Sequence, residues 1–170
     1  LLPLAHNVEI TLEANPGTVE ASRFAAFKAS GINRLSLGIQ SFDDASLKRI
    51  GRIHDGTEAR KAAEIALNTF DNVNLDLMYA LPEQSINAAL ADLEQAISLK
   101  PQHISAYHLT LEPNTAFYHN PPSLPDDDTS AAMQEAIEQT LAGAGFEHYE
   151  TSAFASKGRQ CRHNLNYWEF

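Results

Sequence analysis

The ten residues VEITLEANPG, Val8 to Gly17, put Val8, Ile10, Leu12 and Ala14 on one side of an extended chain and Glu9, Thr11, Glu13 and Asn15 on the other. Alternation with period two marks a strand, and Pro16-Gly17 is a turn signal that ends it. The same division recurs twice downstream. In NRLSLGIQSF, from Asn33, the residues Leu35, Leu37 and Ile39 oppose Arg34, Ser36, Gly38 and Gln40. In NVNLDLMYALP, from Asn72, Val73, Leu75 and Leu77 oppose Asn74, Asp76 and Met78. A fourth extended run, HISAYHLTLEP, begins at His103.

Helical spacing fills the intervals. Residues 18–31 place Val19, Phe24 and Phe27 on one side, with Thr18 in a capping position and Gly31 just past the end. A short helix is expected in DDASLKRIG and a longer one in TEARKAAEIALNTF. The run SINAALADLEQAISLK opens on Ser85 as a cap and repeats Ile86, Leu90, Leu93 and Ile97. Beyond the fourth strand, NTAFYHNPPSLPDDD reads as a Pro-rich loop and TSAAMQEAIEQTLAGAG as a helix with Asp126 to Asp128 at its start, where acidic charge is favourable. HYETSAFA reads as one more strand.

Strands separated by helices, without a tight hairpin signal, predict right-handed β-α-β units and a parallel sheet. In a flat, doubly wound sheet both faces are covered, and central strands become continuous apolar runs. Here each strand keeps a polar file. The class that accommodates both files is α/β, a partial parallel (β/α) barrel with apolar files under outer helices and polar files facing a lumen. Glu13, Gln40 and Asp76 are then expected near the carboxyl ends of neighbouring strands, where such folds bind ligands. Their chemistry suits a polar, ribose-bearing zwitterion: carboxylates accept from an ammonium or hydroxyls, and an amide does both.

Composition narrows the function. With 22 acidic and 12 basic residues the formal net charge is −10, which argues against nucleic acid as a partner. No apolar run approaches the ~20 residues of a transmembrane helix, and the opening residues lack signal-peptide features. A single cysteine, Cys161, makes no internal disulfide and by itself holds neither structural zinc nor an iron-sulfur cluster, which fits a reducing cytoplasm. His103 and His108 fall on opposite faces of a strand, and no H-x-H, HExxH, G-x-S-x-G or P-loop pattern is present.

The segments EITLEANPGTVE, GINRLSLGIQSFDDASLKRIGRIHD, NLDLMYALPEQS, ISAYHLTLEPNT, YETSAFA and HNLNYW, taken together and in this order, resemble the oxygen-independent coproporphyrinogen III oxidase-like branch of the radical S-adenosylmethionine superfamily. The resemblance runs from about Val8 to the last residue. It implies a partial (β/α)6 barrel holding S-adenosylmethionine against a 4Fe-4S cluster, with Glu13, Gln40, Arg52 and Asp76 as S-adenosylmethionine contacts and Thr110 at a backbone contact. The family's Cys-x3-Cys-x2-Cys motif is expected upstream of Leu1. On that expectation residues 1–170 form one domain fragment, truncated at its N-terminus, starting at about the third barrel strand, entering a C-terminal extension at about 146–170 and inactive alone. Ala80 stands where relatives carry Gly, a disfavoured choice if the position needs positive φ.

EPNT, LPDDD and RHNLNYW resemble the heme-chaperone branch of that family. This implies heme as a ligand, His163 as a ligand to its iron, Tyr167 and Trp168 against the porphyrin, and hemoprotein acceptors as partners. The oxidase branch implies instead radical oxidative decarboxylation of coproporphyrinogen III. Read without the family, NLNYW is a strand or turn burying its aromatics in the core, with His163 a surface or hydrogen-bonded histidine.

Overall fold

The computed structural model describes residues 5–18 and 21–168; the side chain of Thr18 and the whole of Val19 lie outside the described residues. Four strands follow the expected alternation: β1 (Thr11–Ala14), β2 (Arg34–Gln40), β3 (Val73–Tyr79) and β4 (His103–His108). The connections carry α1 (Ala21–Ala29), then α2 (Asp44–Arg49) with α3 (Gly56–Thr69), then α4 (Ile86–Ser98). After β4 come a short α5 (Ala116–His119), α6 (Asp127–Gly143), β5 (Glu147–Glu150), β6 (Ala153–Ala155) and α7 (Arg162–Asn166).

The sheet order is β1-β2-β3-β4-β6-β5, and the first four strands are parallel. Crossovers of one hand between strands laid down in sequential order put every connecting helix on the same side of the sheet. The apolar files therefore meet helices and the polar files do not. Leu35, Leu37, Leu75 and Ile104 are fully buried against an alanine stripe of α3 (Ala59, Ala62, Ala63, Ala66), Leu93 of α4, and Met133, Ile137 and Leu141 of α6. Small residues on α3 let that helix lie close to the strands. Gly56 opens it where a Cβ would stand 2.1 Å from the Phe42 carbonyl oxygen, so no larger residue fits that contact.

Helix starts are chemically fixed. The Ser85 hydroxyl accepts from Ala88 N (3.2 Å) and Asp126 accepts from Thr129 N (2.8 Å), while Asp55 and Glu58 form a reciprocal capping box. Ala80 adopts φ +56°, the left-handed conformation that favours glycine, so the alanine there is strained.

Two expectations need correction. HYETSAFA is not one strand but two. β5 runs parallel to β4, as a crossover through α6 requires, and β6 turns back into the gap between them, antiparallel to both. The turn between them contains no Gly, Pro or Asn, so it carries none of the usual signals. NLNYW is neither a strand nor a core segment. Leu165 N bonds Cys161 O (3.1 Å) to form α7, and Tyr167 and Trp168 follow it with 62% and 66% of their surface exposed.

Candidate functional site

Register builds the polar face row by row. Glu13 lies beside Ser36, Ser36 beside Asn74 and Asn74 beside His103; one step further along the strands, Gly38, Asp76 and Ser105 form the next row. These short polar side chains on adjacent parallel strands reach one another. Ser36 Oγ donates to Asp76 Oδ2 (2.9 Å), and Asn74 Nδ2 donates to Asp76 Oδ1 (2.7 Å) and to Ser36 Oγ (2.7 Å). Asn74 Oδ1 accepts from Ser105 Oγ (3.1 Å) and lies 2.6 Å from His103 Nδ1.

Since an amide oxygen can only accept, the network assigns the proton of His103 to Nδ1, leaving Nε2 to accept from the Tyr149 hydroxyl at 2.6 Å. Tyr149 in turn accepts from Cys161 N (3.1 Å) and Asn164 Nδ2 (3.3 Å). Burial, with a smaller contribution from the Arg34 charge, lowers the His103 pKa to about 3, so the ring is neutral near pH 7. Burial raises the pKa of Asp76, against the opposing effect of its hydrogen bonds from Ser36 and Asn74.

Above this network lies a cavity of about 640 Å³. Glu13, Arg34, Ser36, Asn74 and Ser105 line its sheet side, and His163 and Asn164 of α7 line the other. α7 is held there by Tyr149, by Glu9 Oε1 accepting from Arg162 N (2.9 Å), and by the Arg162 side chain donating to Asn7 O. His163 is exposed, with the Tyr167 ring edge-on at 5.1 Å.

The residues expected at a site separate into three places. Glu13 lines the large cavity, and Asp76 sits on the same face, bonded to the cavity-lining Ser36 and Asn74. Gln40 ends β2 at φ +69°, with its amide folded over Gly38; a Cβ on Gly38 would meet Gln40 Nε2 at 2.9 Å. Arg52 and Thr110 do not line this cavity. Thr110 borders a separate, shallower one of about 310 Å³ with Ile50 and Phe117. His54 is buried with Nε2 3.1 Å from Ile39 O, a structural role, and His108 is exposed beside the Tyr79 ring.

Three contributors, His103, Tyr149 and Asp92, escaped the sequence reading. His103 and Tyr149 link the sheet to α7, and the signal for the first half is that His103 falls in register with Asn74. Asp92, buried on α4, accepts from Ser41 Oγ (2.6 Å) and Phe42 N (2.7 Å) and so fixes the turn that follows Gln40. Its signal is a carboxylate on the buried stripe between Ala89 and Leu93.

The donor set fits a polar ligand and does not fit a metal cluster. The cavity offers a free carboxylate, hydroxyls, an amide and a guanidinium. Among the described residues, no group of three or more His, Cys, Asp or Glu side chains is arranged to hold a metal ion, and Cys161 is buried.

Comparison with known proteins gives a consistent set of similarities. Residues 2–96 match the model of the Radical SAM superfamily. The chain is 55% identical over 170 residues to the heme chaperone HemW of Escherichia coli, covering 99% of this chain and 45% of that protein. It is 41% identical over 166 residues to the mouse mitochondrial radical S-adenosyl methionine domain-containing protein 1, covering 95% and 38%. Its fold is similar to that of the solved coproporphyrinogen III oxidase (HemN) of Escherichia coli, with a TM-score of 0.81 and 23% identity over 89% of this chain and 36% of that one. The chain thus spans less than half the length of the curated relatives it matches.

Proposed function

The chain belongs to the radical SAM superfamily, and from that premise we propose that it is the ligand-holding part of a heme chaperone, binding S-adenosylmethionine and heme and delivering heme to hemoprotein acceptors in the cytoplasm. The observation that carries this reading is the setting of His163. It is an accessible imidazole at the edge of a polar cavity, on a short helix followed by two exposed aromatics. A neutral imidazole ligates heme iron, and Tyr and Trp rings pack on an apolar macrocycle while keeping a polar edge in water. The 55% identity to a heme chaperone over nearly the whole chain supports the same choice.

S-adenosylmethionine with a 4Fe-4S cluster supplies one-electron chemistry in this superfamily. This chain's residues do the holding. Glu13 accepts from ribose hydroxyls or an ammonium, Gln40 offers donor and acceptor from a turn clamped by Asp92, and Asp76 presents a carboxylate fixed by Ser36 and Asn74. Arg52 and Thr110 join them if the ligand extends past the end of β2. The described residues offer no site for the cluster.

The test is a heme titration by absorbance alongside a coproporphyrinogen turnover assay, both on the full-length protein. Stoichiometric heme binding without turnover is the expected result; turnover without heme binding would overturn the reading in favour of the oxidase. His163→Ala is expected to weaken heme binding and shift the Soret band, and unchanged spectra and affinity would remove His163 from the site.

A further inference from the structure

Arg34 opens β2 on the polar face and is 4% exposed. A guanidinium stays charged at any pH a protein survives, and a buried charge is strongly disfavoured unless another group compensates it. Compensation is only partial here, from the Asp76 carboxylate acting on the charge from beyond ion-pair distance. Among the described residues the ion pairs are Lys28 with Asp71 and Arg49 with Glu83; Arg34 enters none, and its Nε has no hydrogen-bond partner.

The acids around it are committed elsewhere or stand off. Glu9 accepts from Arg162 N, Asp76 accepts from Ser36 and Asn74, and Glu13, which lines the same cavity, makes no ion pair with Arg34. The side of Arg34 that remains approachable is the large cavity it helps to line.

We propose that Arg34 is the receptor for a ligand carboxylate in this cavity, taking it through the planar fork of the guanidinium. The step from anion to carboxylate rests on the function proposed above, since both ligands named there carry carboxylates. Heme has its two propionates and S-adenosylmethionine its amino-acid end. Neutral His103 beneath the cavity adds no competing positive charge near pH 7.

The experiment uses the full-length protein and two pairs of probes: heme against heme dimethyl ester, and S-adenosylmethionine against 5′-methylthioadenosine, which lacks the amino-acid end. Arg34→Gln is expected to weaken one of the two acids by about 30-fold, the effect of truncating one partner of a buried charged pair, while its carboxylate-free counterpart binds as to wild type. Which acid suffers identifies the source of the carboxylate. Equal binding of both acids by wild type and variant would overturn the proposal, as it would if Arg34 neutralises a carboxylate of the protein itself. Equal weakening of an acid and its counterpart would also overturn it, because the arginine then acts only through the fold. If Arg34→Gln does not fold, Arg34→Lys keeps the charge and loses the fork, and the same comparisons decide. Wild-type protein that binds neither heme nor S-adenosylmethionine would remove the proposed function together with this inference, an outcome distinct from a variant that binds normally.

Discussion

Leu35 and Ser36, or Leu75 and Asp76, are chain neighbours on opposite faces of one sheet, and the two faces are stabilised differently. On the helix side, Leu35, Leu37, Leu75 and Ile104 make no polar contact through their side chains, and stability there follows volume and packing. On the cavity side, Ser36, Asn74 and His103 are nearly as buried and Asp76 is half-buried, but they are joined by directed hydrogen bonds of 2.6 to 2.9 Å. The first face tolerates an approximate fit; the second tolerates no missing partner. A binding surface can therefore be carried on the back of a core without either compromising the other.

Three measurements sharpen or break that contrast. The largest effect belongs to the helix side. Leu75→Ala should lower unfolding free energy by about 2–5 kcal/mol, read as a fall in the urea midpoint, since its neighbours cannot fully close the space. A loss below about 1 kcal/mol would mean that this face is loosely packed and the contrast false.

The second effect belongs to the cavity side and depends on pH. His103 takes up a proton in the native state only near pH 3, whereas in the unfolded chain it does so near 6.5. In that window the unfolded state binds more protons, so acidification from pH 6.5 toward 3 should cost up to about 1.4 kcal/mol per pH unit from this one group. Asp76 and Asp92, whose pKa values are raised by burial, act in the opposite sense and return some stability in acid. The difference between wild type and His103→Gln, compared in urea at pH 7 and pH 5, isolates the histidine. The variant's stability should vary less with pH, and parallel behaviour would show that the ring is not buried as a neutral group.

The smallest effect lies outside both faces. Ser85→Ala removes the cap of α4 and should cost about 1 kcal/mol, with no change in the pH dependence. A larger loss would indicate that the start of α4 also supports the turn held by Asp92.

The parallel strands and their polar files were legible because period two survives in short segments and because Leu and Ser, or Leu and Asp, differ so sharply. The cap at Ser85 and the helix start at Asp126 were legible for the same local reason. β5 and β6 were not, since the chain reverses through Thr151 and Ser152 without a residue that marks a turn. Of the candidate site, Glu13 was found as a cavity residue through its strand position. Arg34 was noted on the polar file, but its lack of a partner is a fact of three dimensions. The link from His103 through Tyr149 to α7 joins residues 46 apart and leaves no trace in local pattern.

That link has a polarity. Hydrogens point from the backbone amide of Cys161 to Tyr149, to His103, to Asn74 and finally to Asp76, and the sense is imposed by the last member, because an ionised carboxylate can only receive. The other end is fixed as well, because the backbone amide of Cys161 can only donate. With a donor that cannot accept at the helix and a carboxylate that cannot donate at the sheet, the chain of hydrogens between them has a single sense, and the helix bearing His163 is tied to the sheet by a one-way relay.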